Sequence, residues 1–383
     1  MSSDRLFTPH FFVMCGFTFT VFLSAFQLLP VAPYRILALG GTAAAAGLFL
    51  GFLTYSSAGT APLTGALTDR LGPRKVLIVA SLAITGFSLI YAVLPSYPLM
   101  LGLVILHGVF WSGLLSSSAT YVTSLVPAGR RAEGMGYWGL STVLAVSVAP
   151  TIGLWVYSHG GWTAMCVESA ALNMVMAGIA WALPADRVRE GHVTAMTMRT
   201  LLEWRVLILS LSLFMYAFGY GGLTSFVALY TDENAVTPRA LYFTLFCLTI
   251  VVTRPFIGRL ADRIGYRRVF LPCVAMVVLG FAILALGGSR PMLIASALVF
   301  GVGFGSAYPA YLAHILRFVD ENRRGAAFGS IIGAFDTGIG TGSIAMGWII
   351  QHYGFRPAWA TAACLATFAI PFFIIVERRL FRT

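Results

Sequence analysis

Charged residues are absent from long stretches of this chain, and this limits what it can fold into more than any other feature. Val76 to Gly129 contains no Asp, Glu, Lys or Arg. A helix needs about 20 apolar residues to cross a bilayer core about 30 Å thick, so this stretch has room for two spans. Segment 94–98, with the sequence LPSYP, has the composition of a turn. The stretch therefore predicts two transmembrane helices joined by a short connection.

The same pattern continues along the chain and predicts twelve spans. Only 10% of the 383 residues are charged and the mean hydropathy is +0.84, whereas soluble domains carry about 25% charged residues. The surface of the folded chain must therefore face lipid. We predict an all-α membrane protein with spans at approximately 9–31, 38–64, 76–94, 98–125, 134–157, 162–183, 206–230, 239–257, 269–288, 291–316, 325–351 and 356–376.

Basic residues are unevenly distributed between the predicted connections, and this predicts the orientation. With both termini in the cytoplasm, the cytoplasmic side holds twenty Arg and Lys residues and the outer side holds four. Short cytoplasmic connections of membrane proteins carry an excess of such residues. We therefore predict a multi-pass protein of the plasma membrane, the inner membrane of a bacterial cell, with both termini cytoplasmic.

A fixed offset of 193 residues aligns the two halves of the sequence. It pairs identical residues from Pro62 and Pro255 to Gly161 and Gly354. Matches at one offset across more than half of each repeat indicate a duplicated six-helix unit, an organisation known among transporters. We predict an N-terminal half at 1–183, a cytoplasmic linker at 184–205 and a C-terminal half at 206–383.

The sequence has none of the residue patterns that mark a soluble enzyme. It contains no Gly-rich phosphate loop, no His-Glu-x-x-His and no paired cysteine ligands. Its five cysteines lie inside apolar segments without metal-ligand or redox-pair spacing. The net charge of +11 does not indicate nucleic acid, because the basic residues stand singly or in pairs between apolar runs. We expect neither enzymatic activity nor a metal, a cofactor or a nucleic-acid partner.

The connection after the second span has a partner of similar sequence after the eighth. The two read GALTDRLGPRK at 65–75 and GRLADRIGYRR at 258–268. Both resemble the signature loop of the major facilitator superfamily of transporters, and the resemblance extends over essentially the whole chain. In that family the loops latch the two halves on the cytoplasmic side; the alternative is a basic anchor without a mechanical role. The gating residues that the resemblance implies are Gly65, Asp69, Arg70, Gly72, Arg74, Gly258, Asp262, Arg263, Gly265 and Arg267.

Span five resembles a motif of the proton-coupled efflux branch of that superfamily. Pro150 and Gly153 match the motif, whereas alanine at 145 and 149 and leucine at 154 replace glycine. The resemblance implies an antiporter that exports a small amphipathic molecule by alternating access, with the proton as coupling ion, and we expect it to be a monomer. Import of a sugar, a sugar acid or another nutrient is the alternative on the same fold. A membrane receptor or membrane-embedded enzyme is a third alternative, which the two intact signature loops argue against.

Ionisable residues inside the predicted spans are candidates for function, because charge is costly in hydrocarbon. Asp336 lies about eleven residues into span eleven, roughly 17 Å deep at 1.5 Å per residue. Three roles stay open for it: proton carrier, substrate contact or structural partner of a buried base. Arg254 in span eight is such a base, although its side chain could instead extend to the cytoplasmic surface. Glu168 in span six is either a coupling group or a structural one.

A substrate pocket is expected among spans one, four, seven and ten, which line the central cavity in the superfamily. Tyr216 and Tyr220 are spaced to share a face of span seven. Tyr308 and Tyr311 are spaced to do the same in span ten. Aromatic rings with a few polar tips suit an amphipathic ligand, although interfacial belts also collect tyrosine. The remaining candidates for the lining are Gln27, His107 and Trp111.

Overall fold

The computed structural model describes residues 6–127, 130–184, 203–319 and 323–381, and these residues fold into helices joined by short connections. The first half contains α1 (Pro9–Ala38), α2 (Ala43–Leu71), α3 (Pro73–Val93), α4 (Tyr97–Leu125) and the helical run Arg131–Ala182. The second half contains α7 (Trp204–Glu233), α8 (Leu241–Ile264), α9 (Tyr266–Leu286), α10 (Arg290–Ile315), the 3-10 turn Leu316–Phe318, α11 (Arg324–Tyr353) and α12 (Phe355–Phe381).

The run Arg131–Ala182 consists of two helices. Gly161 has φ 72° and ψ −170°, a conformation that glycine adopts more easily than other residues because it lacks a Cβ. It separates α5 (131–160) from α6 (162–182) without an intervening loop. Counted in this way, the described residues form twelve α-helices, and the predicted all-α fold with twelve helices is confirmed.

Most of the described helices have the length and composition of membrane spans. Eight helical segments are long and apolar enough to cross a membrane, if residues 137–182 are counted as one segment. The helix α8 is a ninth candidate if its two bent segments form one span. These segments, Leu241–Arg254 and Phe256–Ile264, are bent by 46° at residue 255, a proline, which removes a helical hydrogen bond. The helices α2 and α11 are not among them, and both are rich in Gly, Ser and Thr.

The described chain divides into two compact units. The first lies within Met1–Gly40 and Tyr55–Gly191, and the second within Gly41–Thr54 and His192–Thr383. The first part of α2 therefore groups with the second unit, where the Ser343 hydroxyl of α11 donates to the Gly47 carbonyl at 2.9 Å. The predicted linker at 184–205 falls mostly outside the described residues.

Buried hydroxyl pairs and small residues join the helices of the first unit. Hydroxyls of α2 and α4 pair twice at 2.9 Å, Thr64 with Ser112 and Thr68 with Ser117. On α5, a Cβ added to Gly153 would overlap the backbone of α1. The small residue at this place in span five thus allows close packing of α5 against α1.

Glycines also set the contact between α7 and α11 in the second unit. A Cβ added to Gly338 would overlap the backbone at Phe214, and one added to Gly342 would overlap the backbone at Phe218. The two helices therefore pack backbone to backbone, as small residues permit in membrane proteins. This contact fixes the position of Asp336, which lies half a turn before Gly338 on α11.

Candidate functional site

An aromatic cluster fills the interior of the second unit, and two predicted pocket residues belong to it. Tyr220 of α7 stacks on Phe304 of α10 with ring centroids 4.1 Å apart. Tyr216, one turn earlier, lies 5.5 Å from the same ring. Both tyrosines are buried, and the Tyr216 hydroxyl has no hydrogen-bond partner among the described residues. The two tyrosines therefore face the same neighbour, as their spacing predicts.

Asp336 lies at the half-buried edge of this aromatic cluster. Phe335, its neighbour in sequence, packs against Tyr308 with ring centroids 5.0 Å apart and lies 5.9 Å from Tyr216. Asp336 also interacts electrostatically with Tyr308. All three of Tyr308, Phe335 and Asp336 are half-buried. One carboxylate thus stands beside partly exposed aromatic rings, a combination that can hold an amphipathic molecule.

Asp336 and Arg254, suggested as partners by the sequence, do not form an ion pair in this structure. Among the described residues, neither side chain makes a salt bridge or a hydrogen bond to a protein group. Arg254 is half-buried and is the last residue of α8 before the bend. The Asp336 carboxylate is therefore left for another partner within this conformation of the second unit.

Tyr311 does not share a face with Tyr308, and the expectation from their spacing is corrected. Its side chain is fully buried and its hydroxyl pairs with the Ser210 hydroxyl at 2.9 Å. Its ring packs against Phe270 of α9 and Phe373 of α12, with centroids 5.3 and 5.9 Å away. Residues three apart on a helix differ by about 60° in direction, and Tyr311 points into the helix packing.

In the first unit, Gln27 and Glu168 lie together. The Gln27 amide Nε2 donates to Glu168 Oε1 at 3.2 Å, joining α1 to α6. Gln27 is fully buried and Glu168 half-buried. The second oxygen of each group, Gln27 Oε1 and Glu168 Oε2, is buried without a hydrogen-bond partner among the described residues. Two acceptors are thus open to a ligand or to water.

His107 and Trp111 line a small cavity of the same unit. Its volume is about 10 Å³, the size of one water molecule. His107 is buried, with Nδ1 3.4 Å from the Tyr91 hydroxyl. Asn173 of α6 also lines the cavity, and its Oδ1 has no hydrogen-bond partner among the described residues. The cavity is too small for an organic substrate.

The predicted gating loops are helix ends rather than loops, which corrects the sequence interpretation. Gly65, Asp69 and Arg70 belong to α2, and Arg74 is in the first turn of α3. Only Gly72 separates the helices, with φ 85°. In the second copy, Gly258, Asp262 and Arg263 belong to α8, Arg267 to α9, and Gly265 has φ 96°. A positive φ lets one helix end and the next begin within a single residue.

The two arginines at equivalent positions of this motif tie it to the last helix of each unit. Arg74 donates from Nε to the Ala180 carbonyl at 3.4 Å and from Nη2 to the carbonyl of Trp181, near the end of α6. Arg267 donates from Nε to Glu377 Oε2 of α12 at 2.8 Å. The acceptor is thus a pair of backbone carbonyls near the end of α6 in the first unit and the side-chain carboxylate of Glu377 in the second.

Glu377 is a connecting residue that the sequence analysis missed. It is fully buried, and its Oε1 lies 2.8 Å from His314 Nε2 of α10. At the equivalent place in the first unit, the Tyr121 hydroxyl donates to the Pro184 carbonyl at 3.3 Å. The 193-residue offset pairs residue 121 with 314 and residue 184 with 377, so the two contacts occupy equivalent places, but the sequence does not show that either pair is in contact.

The two motif aspartates differ in their surroundings. Asp262 accepts a 2.7 Å hydrogen bond from the hydroxyl of Tyr266, one turn later. The residue that corresponds to Tyr266 in the first copy is Pro73, which has no hydroxyl. Asp69 is exposed and makes no hydrogen bond within the described part of its unit.

Comparisons of the sequence with known proteins agree with this architecture. The sequence profile described as the Major Facilitator Superfamily matches residues 14–237 and 209–381. The uncharacterized MFS-type transporter YhhS of Escherichia coli (strain K12) is 24% identical over 364 residues, covering 92% of this chain and 89% of the relative. YhhS of Salmonella typhimurium (strain LT2) is 23% identical over 363 residues, with the same coverage of 92% and 89%.

Solved transporter structures share the fold at low sequence identity. The crystal structure of nucleoside transporter NupG aligns with a TM-score of 0.76 and 16% identity over 97% of this chain and 100% of that chain. A bacterial homolog of the human lysosomal transporter Spinster, inward-facing and unoccupied, aligns with a TM-score of 0.80 and 14% identity over 98% of each chain. The profile match and the shared fold together cover nearly the whole chain. The chain therefore belongs to the Major Facilitator Superfamily of multi-pass membrane transporters.

Proposed function

We propose that this transporter exports a small amphipathic organic molecule by proton antiport, and that Asp336 is the group that exchanges the proton. The observation that carries the proposal is the half-buried Asp336 carboxylate beside Tyr308 and Phe335, without an ion-pair partner among the described residues. A carboxylate away from bulk water is costly when charged. Protonation or a cationic group of the substrate removes that cost, and the two exclude each other.

The aromatic cluster supplies the apolar part of the proposed substrate site. Tyr308 and Phe335 offer partly exposed ring faces next to the carboxylate. Ring faces attract cations as well as apolar groups, so a basic amphipathic molecule has contacts for both of its ends. The substrate class that fits best is therefore an organic molecule with an apolar body and a protonated amine.

An ion gradient is the energy source that fits the sequence. The chain has no Gly-rich phosphate loop ending in Lys and Ser or Thr. A carboxylate that takes up a proton on one side and loses it on the other couples the gradient to transport if the two units open alternately. The basic-residue asymmetry of the sequence supports placement in the plasma membrane with both termini cytoplasmic. We propose a monomer as the working unit.

Import of a polar nutrient is a second candidate, and the first unit favours it. Gln27 Oε1 and Glu168 Oε2 are buried acceptors without partners among the described residues. A hydroxyl-rich molecule such as a sugar, a sugar acid or a nucleoside supplies donors for both. NupG, one of the structures with this fold, is a nucleoside transporter.

Flux measurements in inverted membrane vesicles separate the two candidates. The vesicles are acidified inside, and the uptake of a radiolabelled lipophilic amine is compared with that of a nucleoside and a sugar acid. Export by proton antiport predicts amine accumulation above the passive weak-base trapping seen in vesicles without the transporter, and this excess collapses when a protonophore removes the gradient. Accumulation of none of the amines tested, together with gradient-driven uptake of a nucleoside or sugar acid in right-side-out vesicles, would favour import. A thermal-shift screen of the purified protein selects the compounds, because a ligand stabilises the folded state by mass action.

A further inference from the structure

A basic pocket opens in the second unit where α8 turns into α9 and where α10 ends. Its volume is about 490 Å³. The residues that line it come from the helix break and from the last turn of α10 and the short 3-10 turn after it. Gly265 is the residue of the break itself, and the polar residues of the lining are Tyr266, Arg267, Arg268, His314 and Arg317. None of these residues belongs to the substrate and proton site proposed above, although Gly265 and Arg267 are residues of the second signature motif.

The described lining of this pocket carries positive charge and no carboxylate. The charge comes from Arg267, Arg268 and Arg317, His314 also lines the pocket, and the remaining described lining residues are uncharged. Arg268 and Arg317 are exposed and form no ion pair with a described residue. Arg268 and Arg317 are like charges at one opening and repel each other, whereas the charge of Arg267 is offset by Glu377. An anion in the pocket relieves that repulsion.

Glu377, which does not line the pocket, orients two of these basic side chains by binding them. It is fully buried and binds Arg267 Nε and His314 Nε2, each at 2.8 Å. The Nη–H donors of Arg267 make no hydrogen bond to a described residue and remain available for a further acceptor. The arginine fork is thus oriented before a ligand arrives, which lowers the entropic cost of binding.

The start of α9 adds backbone donors to the same opening. Gly265 is its N-cap and makes no side-chain hydrogen bond to the helix. The amides of Tyr266 and Arg267 come before the hydrogen bond that Arg268 N–H makes to the Gly265 carbonyl at 3.1 Å, and the helix dipole favours an anion near them. The helix is 21 residues long. Guanidinium groups and free amides together are the donors that bind phosphate oxygens in proteins.

The first unit lacks an equivalent set of side chains, although it has the same fold. The 193-residue offset pairs Arg317 with Ser124, His314 with Tyr121 and Tyr266 with Pro73. The two basic residues that correspond to Arg267 and Arg268 are Arg74 and Lys75. The shared six-helix fold therefore forms in the first unit without the basic side chains found at positions 314 and 317 of the second unit.

We propose that this pocket binds an anionic phosphate group, supplied either by the headgroup of a membrane lipid or by a free phosphate compound. The volume exceeds that of a single phosphate ion and has room for a headgroup. Ile264 and Phe318, both more than a third exposed, form an apolar rim beside the arginines. Such a rim suits the glycerol and acyl carbons that follow a lipid phosphate.

Binding is measured on the purified full chain in detergent by native mass spectrometry and by the thermal unfolding midpoint. Short-chain phosphatidylglycerol, phosphatidylcholine and inorganic phosphate are titrated separately. The variants are Arg317→Ser and Arg268→Ser, with Lys75→Ser as the control at the equivalent place in the first unit. We expect Arg317→Ser and Arg268→Ser each to weaken binding about tenfold, the loss of one charge-assisted contact, and Lys75→Ser to leave it unchanged.

The three ligands separate the two sources. Saturable binding of phosphatidylglycerol with none of phosphate identifies a lipid site, and saturable binding of inorganic phosphate identifies a site for a free anion. If neither binds more tightly than phosphatidylcholine, or if Lys75→Ser weakens binding as much as Arg317→Ser, the proposal is overturned. The unfolding midpoint of each variant without ligand shows that the exposed substitutions leave the fold intact.

Discussion

Arg267 binds Glu377 at 2.8 Å in the second unit, and Arg74, its repeat equivalent, binds backbone carbonyls at the end of α6 in the first. Both halves therefore contain a hydrogen-bonded link, here called a tether, from the arginine at the start of the third helix to the end of the sixth helix. The group that accepts the hydrogen bond differs between the halves. A carboxylate acceptor brings a charge into the protein interior, and His314 shares it. The two halves thus share the arrangement of their helices, but only the second has a buried carboxylate at this place.

Replacement of Glu377 by Gln should destabilise the second unit. Glu377 is fully buried and holds two basic partners, so the change weakens two bonds and leaves Arg267 without its counter-charge. We expect a loss of about 2–3 kcal/mol, below the roughly 3–5 kcal/mol of a fully buried broken pair, because Arg267 is partly exposed. The thermal unfolding midpoint of the purified protein measures the loss. Glu203→Gln is the matched control: its partner Arg323 is about half exposed, and the expected loss is below about 1 kcal/mol.

The motif glycines should separate into two classes when each is replaced by alanine. Gly72 and Gly265 have φ 85° and 96°, so alanine there should cost about 1–3 kcal/mol of backbone strain. Gly65 is helical, with no atom of its own unit within 4 Å of an added Cβ, so alanine should be neutral or slightly stabilising. Unfolding midpoints of the three variants test this. Equal midpoints for Gly65→Ala and Gly72→Ala would contradict the assignment of the turn to Gly72.

The sequence predicts the helices well and the tethers poorly, for a physical reason. A transmembrane helix needs about twenty consecutive apolar residues, so a hydrophobic run in the sequence predicts it without any knowledge of the helices that pack against it. The Arg267–Glu377 bond joins residues far apart in sequence, and Glu377 stands next to Arg378 at a predicted membrane boundary. From the sequence alone, that position is typical of a solvated helix end.

The direction in which a side chain points from its helix is the second feature that the sequence predicts poorly. Tyr216 and Tyr220, four residues apart, face the same ring. Tyr308 and Tyr311, three apart, point to different neighbours. Spacing narrows the choice of face, but the packing of α9 and α12 decides which side of α10 is buried, and that packing cannot be deduced from α10 itself.

The topology inferred from basic residues predicts which sites are accessible from each side of the membrane. In a cysteine-free background, single cysteines at Ser2, Gly191 and Thr383 should react with an impermeant reagent only from the cytoplasmic side. These three positions lie outside the described residues. A cysteine at Asp232, at the far end of α7, should react only from outside. Labelling of position 191 in intact cells would contradict the twelve-span arrangement.

The motif aspartates should matter for the rate of transport rather than for folding. We expect Asp69→Asn and Asp262→Asn to accumulate normally and to transport more slowly, through a shift of about 1–3 kcal/mol between conformations. Tyr266→Phe removes the 2.7 Å hydrogen bond to Asp262 and retains the carboxylate, so it separates the bond from the charge. Substrate exchange rates in proteoliposomes provide the measurement. Wild-type rates in both Asn variants would reduce the motif to a basic anchor.

The most direct test of the proposed mechanism is the flux of substrate into inverted vesicles under an imposed pH gradient, acidic inside. Asp336→Asn should abolish concentrative uptake, because the amide can neither exchange a proton nor pair with a protonated amine, and substrate should stabilise the purified variant less than it stabilises the wild type. Asp336→Glu should retain part of the activity, and Asp232→Asn, which removes a carboxylate paired with Arg239 at 2.9 Å, should retain all of it. If Asp336→Asn still concentrates substrate as the wild type does, the proton is carried elsewhere, and the proposed role of Asp336 is wrong.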